Sequence, residues 1–463
     1  MTLFTNRFNH LLLATLMLLG VSMLNTACTD DQLTDANQEQ KDSTNTNSFF
    51  SNEINQLIDA NYPEVQKNGH SKLVIPKSMY KDGLFTLTAN SKSDMDVLVK
   101  AGYKVYVNGG TVRDGIMGAE SHDVDCSTNC DINKIAEVLP NAKAFNAFRN
   151  IWIAKAYHDT GLETDIAPIF AIFPELSGKE DVPTASSTDS PYSTDLLEDT
   201  YSRDFTFNAM YYDYATGDII DYHGGLHDMR EGIVRTVFNA NLAVSNDPRK
   251  FFRSCRFAAK FNFKIADDLD QAMKDNYSVL GTIDAKNTVY QTSSGFNGGF
   301  ALRFYKFINN YKITDFFLTS MAKWQHTDSY EKFVEGMLAS YDSNGKQDVA
   351  MSYAALFWPR VAEELAKTSS PTSGDVDSIW TAIDKENAAA LRFEKGGYAD
   401  YSYAPAFMKD IWWLQVLMTS DSNMTTAKAT EIKAMTHYKE AVTFLNARAS
   451  MDDTLKKYAE YWK

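Results

Sequence analysis

Residues 107–125, VNGGTVRDGIMGAESHDVD, limit what this chain can fold into more than any other stretch. Tyr103 to Val107 alternates and is rich in β-branched and aromatic side chains, which predicts a strand. Gly109-Gly110 breaks it, Val112 to Met117 reads as a short helix, and His122 to Cys126 reads as a second strand. Asp123 and Asp125 stand two apart on that strand, so both carboxylates leave the same face. Carboxylates side by side repel each other unless cations sit between them. Hard oxygen ligands suit Mg²⁺, which also binds phosphates. Two such metals can activate a hydroxyl and neutralise a departing pyrophosphate. Upstream, paired glycines let the backbone approach a triphosphate and offer it N–H donors, and Arg113 can clamp phosphate bidentately. Asp-x-Asp alone is a weak signal; nine residues behind Gly-Gly-x-x-Arg-Asp it is a specific one.

The remaining sequence bounds the class of molecule. With 463 residues, 44% hydrophobic and 23% charged, the chain has the balance of a globular protein of two or three domains; wholly disordered, collagen-like and coiled-coil chains are excluded. A formal net charge of −15 means that any nucleic-acid contact must come from a local patch. Residues 85–235 carry a net −12, whereas residues 236–320 carry a net +4. In the second stretch Arg249, Arg253, Arg256 and Lys260 share one face of a predicted helix. Phe251, Phe252, Cys255, Ala258 and Ala259 share another at core spacing. Such a stripe is ordinarily a solvated face; beside the motifs it points to phosphate contact.

Helices and strands mix up to about residue 246, and from Asp247 the pattern is helical to the end, which gives an α+β chain. Phe49 to Val74 reads as a short helix with an irregular lead-in, and Ile132 to Leu139 as a helix. Further strands are expected at Ile151–Ala156, Leu162–Ile172, Phe207–Tyr212 and Ile219–Tyr222, with a mobile loop over Gly178–Thr194. Cys126 and Cys130 read as core thiols, because His122 nearby would not complete a metal site. His223 and His227 have a metal-like spacing around a Gly-Gly turn and are expected at the surface. Phe407, Ile411, Leu414 and Met418 repeat at the spacing of a bundle core.

The N-terminus carries a different signal. Arg7 precedes the apolar run LLLATLMLLGVSML (Leu11–Leu24), which is short for a membrane span and followed by Asn25-Thr26-Ala27-Cys28. The pattern resembles a bacterial lipoprotein signal, with Asn25 standing where such signals usually have Leu. Thr29-Asp30-Asp31 resembles the surface-export tag of Bacteroidetes-type lipoproteins. This predicts lipid on Cys28 and an exported chain anchored to a bacterial membrane through it, facing the cell surface. If the signal is not used, the chain stays in the cytoplasm. Residues 29–48 read as a solvated tether.

Several further segments follow in a telling order: Ser202-Arg203-Asp204-Phe205-Thr206-Phe207-Asn208-Ala209-Met210, then Gly217-Asp218-Ile219-Ile220-Asp221, Gly224-Gly225, Asp228, Arg235, Asp247-Pro248 and Arg253-Ser254-Cys255-Arg256-Phe257-Ala258-Ala259. With NGGTVRD and HDVD they resemble the tRNA nucleotidyltransferase (CCA-adding) and bacterial poly(A) polymerase family, over roughly residues 80–270. The resemblance implies a head with a small mixed β-sheet and flanking helices at 76–240, a helical neck at 241–290 and a helical body and tail at 291–463. A signal at 1–27 and a tether and lead-in at 28–75 precede them. It implies transfer of a nucleoside monophosphate from ATP or CTP to the 3′ hydroxyl of RNA, a tRNA-like acceptor. Asp123 and Asp125 would be catalytic and hold Mg²⁺, with Asp165, or else Glu163, as a third carboxylate. Gly109, Gly110 and Arg113 would hold the triphosphate, and Arg203, Asp204 and Asn208 the ribose and phosphate. Asp247 would face the nucleobase, with Lys250, Arg253 and Arg256 completing the nucleotide site.

Departures from the family pattern matter too. The family's neck reads Glu-Asp-x-x-Arg where this chain has Asn246, Asp247 and Lys250, and a lysine lacks the planar fork of arginine. ATP and CTP are therefore expected to be poorly distinguished. Ser202 replaces the first arginine of Arg-Arg-Asp. The export signal and these changes raise an alternative: an exported lipoprotein that uses a catalytically retired scaffold for binding.

Overall fold

The computed structural model describes residues 49–68, 71–119, 124–148, 151–159, 164–187, 190–345, 348–395 and 400–463. Cys28, His122, Asp123 and Glu163 lie outside these residues. The chain divides into two compact units: Met1–Lys250 with Phe263–Asn276, and Phe251–Asn262 with Tyr277–Lys463.

The first unit is built on a mixed sheet. Its strands are β1 (Leu73–Ile75), β2 (Val105–Asn108), β3 (Val124–Thr128), β4 (Ala142–Phe148), β5 (Ile151–Ala156), β6 (Thr164–Pro168), β7 (Met210–Asp213) and β8 (Ile219–Asp221). Among the described residues they lie in the order β1-β8-β7-β2-β3-β6-β5-β4. β3 and β6 run parallel, and every other neighbouring pair is antiparallel. Helices α1 (Asn52–Asn68), α2 (Ala89–Lys100), α3 (Gly109–Ile116), α4 (Ile132–Val138), α5 (Leu196–Thr200), α6 (Gly225–Glu231) and α7 (Ala240–Asn246) flank the sheet or connect its strands. Caps fix their starts: Thr88 accepts from Ser91 N, and Asp131 from Asn133 N.

Register decides what the sheet presents. Tyr106 pairs with Ser127, Asn108 with Tyr211, Asp125 with Asp165, and Asp165 with Lys155. Paired residues share a face, and so do residues two apart. Asn108, Asp125, Ser127, Lys155, Asp165 and Tyr211 therefore stand on one face. Cys126, Ala154 and Ile166 line the other, all at 1% exposure, where Asp94 of α2 accepts from Thr164 Oγ1 at 2.8 Å.

Several expectations shift. The helix after β2 begins at Gly109, not at Val112: Gly109 takes φ +61° and turns the strand directly into α3. β1 and β4 were not expected; the first is three residues long, and the second, AKAFNAF, has no β-branched residue. Residues 206–208 are a 3₁₀ turn, so the expected strand at Phe207 starts at Met210. The stretch Gly178–Thr194, expected to be mobile, has fixed contacts: Val182 is buried, and Tyr192 stacks on Phe170 and bonds Trp152 N and O.

Helix α8 (Arg249–Phe261) leads out of the first unit; β9 (Ile233–Val234), β10 (Lys264–Ile265) and α9 (Asp267–Asp275) belong to that unit. The second unit is helical. Its longest members are α10 (Ala285–Phe296), α11 (Ala301–Asn310), α12 (Asp328–Ser343), α13 (Val349–Leu365), α14 (Ser373–Asn387), α15 (Ala404–Met418) and α16 (Tyr438–Ala449). Phe407, Ile411, Leu414 and Met418 are buried as their spacing predicts. Trp412 donates to Ala354 O at 3.1 Å, and Arg360 grips Glu386 at 2.7 and 2.9 Å. Among the described residues no helix is long and apolar enough to cross a membrane.

Candidate functional site

The carboxylates lie where two parallel strands run side by side. Asp125 on β3 and Asp165 on β6 are direct register partners, although 40 residues separate them in the sequence. Asp125 is buried, and Asp165 is paired with Lys155, whose Nζ lies 3.2 Å from its Oδ1. Anionic oxygens from neighbouring strands are the donor chemistry of a hard divalent cation. The pair therefore fits Mg²⁺: Asp165 is the expected third carboxylate, and Asp123, expected with Asp125, lies two residues before it in the sequence. Among the described residues no group of three His, Cys, Asp or Glu side chains forms a metal cluster.

Next to the pair, β2 delivers the chain into Gly109-Gly110 and α3. Arg113 is completely buried and binds Asp114 through Nε at 2.8 Å and Nη2 at 2.9 Å. Its Nη1 donates to Asn208 Oδ1 at 2.8 Å, and Asn208 Nδ2 donates to Asp204 Oδ1 at 2.9 Å. The expected phosphate clamp is thus a joint: Arg113 ties the glycine-led helix to Asn208 and Asp204 of the second motif. Three separately predicted residues come together in one hydrogen-bonded chain.

Arg203 leads to residues that sequence reasoning missed. Its Nη2 donates to Asp199 Oδ2 at 3.0 Å. The same oxygen accepts from Ser127 Oγ at 3.0 Å and Tyr211 OH at 2.6 Å, while Oδ1 accepts from Phe170 N at 2.8 Å. Asn108 Nδ2 in turn donates to Ser127 Oγ at 2.9 Å. Asp199 has no exposed surface. Asp199 and Arg203 stand four apart, a spacing that could have signalled the pair. Beside it, Glu198 accepts from Ile172 N and Ser186 N and so fixes the loop after β6.

The Gly224-Gly225 turn is structural. Asp221 caps α6 through bonds from His223 N, Gly224 N and Leu226 N, each at 2.9 Å. Burial pushes its carboxyl up in spite of these donors. Asp228 accepts from Thr206 Oγ1 and Arg235 Nε. A Cβ at Gly225 would come 2.3 Å from Thr206 O, so only glycine allows this approach. The histidines around the turn depart from expectation. His223 is 6% exposed and 2.7 Å from Thr200 Oγ1, and burial pushes its pKa down to about 3. His227 stacks on Tyr62 with centroids 3.4 Å apart. The turn that displays them folds back against α1 and α5, which is why they are not surface ligands.

At the end of the first unit Asp247 is buried and held by Arg249, Nε to Oδ1 at 2.7 Å and Nη2 to Oδ2 at 2.9 Å. Lys250 lies 3.5 Å from Oδ2. Burial alone would raise this carboxyl, but Arg249 and Lys250 hold it well below the usual carboxylate range. In the second unit, the guanidinium groups of Arg253 and Arg256 lie over the Phe257 ring at 5.5 and 4.8 Å. The basic stripe is therefore not a solvated face: Arg249, Arg253 and Arg256 are all buried.

Residues 105–235 match the Poly A polymerase head domain. Poly(A) polymerase I of Salmonella typhi is 23% identical over 407 residues, covering 84% of both chains. The chain is thus similar to nucleotidyltransferases of the CCA-adding and poly(A) polymerase kind. The CCA-adding enzyme of Lactiplantibacillus plantarum is 31% identical over 198 residues, 43% of this chain and 46% of that one. Among solved structures, the Thermotoga maritima CCA-adding enzyme complexed with tRNA-CCA shares the fold, with TM-score 0.55, 18% identity, and coverage of 83% of this chain and 85% of that one. A CCA-adding enzyme with CTP has TM-score 0.56 at 17% identity, covering 84% and 85%.

The likeness to these nucleotidyltransferases thus runs well beyond residues 80–270, where the motifs confined it. Beyond about residue 270 the helices are recognisable by the spacing of interchangeable apolar residues, not by a chemical motif. Of the predicted site residues, Gly109, Gly110, Arg113, Asp123, Asp125, Asp165, Arg203, Asp204 and Asn208 fall within residues 105–235, the part matched to the head domain.

Proposed function

We propose that the chain is a Mg²⁺-dependent nucleotidyltransferase that moves a nucleoside monophosphate from ATP or CTP to the 3′ hydroxyl of an RNA. The observation that carries this reading is the in-register pair Asp125 and Asp165 beside a glycine-led helix, inside the segment that matches a nucleotidyltransferase head. The RNA oxygen attacks the α-phosphorus, and pyrophosphate leaves. Asp123, Asp125 and Asp165 would hold the metal, which supplies charge neutralisation at the phosphates. The N–H groups of Gly109 and Gly110, at the start of α3, face the phosphates, as a helix N-terminus favours. Arg113 holds Asn208 and Asp204 ready for the ribose, and Asp199 holds Arg203 on the same side of the sheet. Asp247 and Lys250 serve the nucleobase, and Arg253 and Arg256 are assigned to the nucleotide from the sequence alone.

We further propose that the chain is exported and anchored by lipid on Cys28, on the strength of the Leu-rich run and Thr-Ala-Cys. Mass spectrometry of the native N-terminus tests this: an intact Met1 in a cytosolic fraction defeats it. Catalysis is tested with the full chain in detergent, labelled ATP and CTP, mixed RNA and Mg²⁺. Incorporation at RNA 3′ ends is expected. Nucleotide binding without incorporation would instead favour a retired scaffold, to which the neck change at Lys250 already points.

A further inference from the structure

We propose that Lys155 is a positioning residue of the carboxylate centre, an internal counter-cation that competes with the divalent metal for Asp165. The inference rests on the reading of Asp125 and Asp165 as metal ligands, and adds a residue that no motif singled out.

Four neighbouring strands set four charges in one row, whose outer member, Lys143 on β4, is exposed, pairs with Lys155 and lies over the Tyr157 ring at 5.7 Å. Lys155 on β5 is the register partner of Asp165 on β6, which is the partner of Asp125 on β3. Direct partners share a face and lie about 5 Å apart at Cβ. The row is therefore fixed by backbone pairing, not by a chance meeting of long side chains. The ammonium lies 3.2 Å from Asp165 Oδ1, with side-chain exposures of 27% and 16%. Such a pair is screened less than one in open solvent. On the same face of β5, Ile151 and Ile153 are 6% and 4% exposed, so the lysine is the polar end of an otherwise apolar row.

The chemistry of the row follows from its charges. Two adjacent carboxylates raise each other's proton affinity and cost stability, and the lysine offsets part of that cost while no metal is bound. An arriving divalent ion needs the same Asp165 oxygens. Lys155 must then share or release them, which lowers affinity for the ion. A lysine suits this exchange, because its ammonium is a compact charge on a flexible stem and forms no bidentate fork.

The test is Mn²⁺ binding to the nucleotide-free full chain in detergent, followed by paramagnetic resonance, for wild type, Lys155→Gln, Lys155→Arg and Asp125→Asn. Lys155→Gln is expected to bind Mn²⁺ about tenfold more tightly, the scale of removing one partly screened cation a few ångströms away. Lys155→Arg, whose planar fork can hold Asp165 through two bonds, should bind Mn²⁺ no more tightly than the wild type. A lysine with a merely structural role would leave affinity unchanged or lower it. Unchanged or weaker binding by a cooperatively melting Lys155→Gln, with binding lost in Asp125→Asn, overturns the role of Lys155 alone. Wild-type binding by Asp125→Asn overturns the carboxylate centre itself, and the role of Lys155 with it.

Discussion

Two acidic regions share one face of the head sheet and differ in how they are neutralised. At Asp199, a guanidinium, two hydroxyls and a backbone N–H converge on one buried carboxylate. At Asp125 and Asp165, two carboxylates stand in register with Lys155, and Lys143 on β4 continues the row at an exposed position. A buried charge is tolerated when it is paired and hydrogen-bonded. Asp199 satisfies that rule with protein groups. Asp125 and Asp165 instead set two carboxylates side by side, and the proposed metal would relieve their repulsion. Aspartates facing one side of the sheet thus form a joint in one place and the proposed cation centre in the other.

Breaking the joint gives the largest expected effect. Asp199→Ala leaves Arg203 buried without its carboxylate, and Ser127, Tyr211 and Phe170 N without their acceptor. A loss of about 3–5 kcal/mol in urea unfolding is expected, as for one partner removed from a buried ion pair. Asp199→Asn, which keeps the shape and drops the charge, should cost less, about 2 kcal/mol. A cost under about 1 kcal/mol for Asp199→Ala would end the distinction between the two regions.

The two regions were unequally legible. Asp123 and Asp125 stood out because period two puts them on one face and they follow Gly-Gly-x-x-Arg-Asp by nine residues. Asp165 could be nominated from its strand, but its register with Asp125 depends on a parallel pairing across 40 residues, which no local pattern encodes. Asp199 was overlooked because its partners come from β3, β7 and the loop after β6, and an Asp in a short helix looks unremarkable alone. Arg113 was legible as important and misjudged in its partner: the neighbouring Asp114 and distant Asn208 take its guanidinium. β4 was hidden by its alanines, whereas the helical core was plain from spacing alone.

Beside the Asp199 joint, His223 is buried against Thr200 of the helix that carries Asp199, and acid tests it. Its folded pKa lies near 3, below an unfolded value of about 6.5. The unfolded chain therefore binds more protons between these values, and stability falls as pH drops through that window. The contribution is complete above about pH 6.5 and amounts to a loss of about 2 kcal/mol from pH 7 to pH 5. His223→Gln can still bond Thr200 but takes up no proton. Its stability should change less over the same interval by that amount; parallel curves for the two proteins would contradict the assignment.

The nucleobase end offers a finer comparison. Asp247 already receives a two-pronged bond from Arg249, while Lys250 adds a single charge at 3.5 Å. A point charge discriminates base edges poorly. The wild type is expected to incorporate ATP and CTP with little preference, and Lys250→Arg to sharpen the ratio by about 1 kcal/mol, the low end for one bidentate contact. Competition between labelled nucleotides measures it. An ordered C-C-A product from the wild type would defeat the expectation.

The smallest stability effect carries the sign that separates the two regions. Asp125→Asn removes one of two neighbouring negative charges and leaves Asp165 with Lys155. Without metal, repulsion is relieved, so the melting temperature should hold or rise, by less than about 1 kcal/mol in free energy. The same substitution should abolish Mg²⁺-dependent triphosphate binding, because the side-chain amide gives up the charge that held the ion. At Asp199 the equivalent change destabilises and brings no gain. Titration calorimetry with a non-hydrolysable ATP analogue, with and without Mg²⁺, measures binding, and thermal melting measures the sign. If Asp125→Asn binds like the wild type and melts lower, Asp125 is a joint of the same kind as Asp199. The carboxylate pair would then be structural, and the binding-scaffold reading would follow.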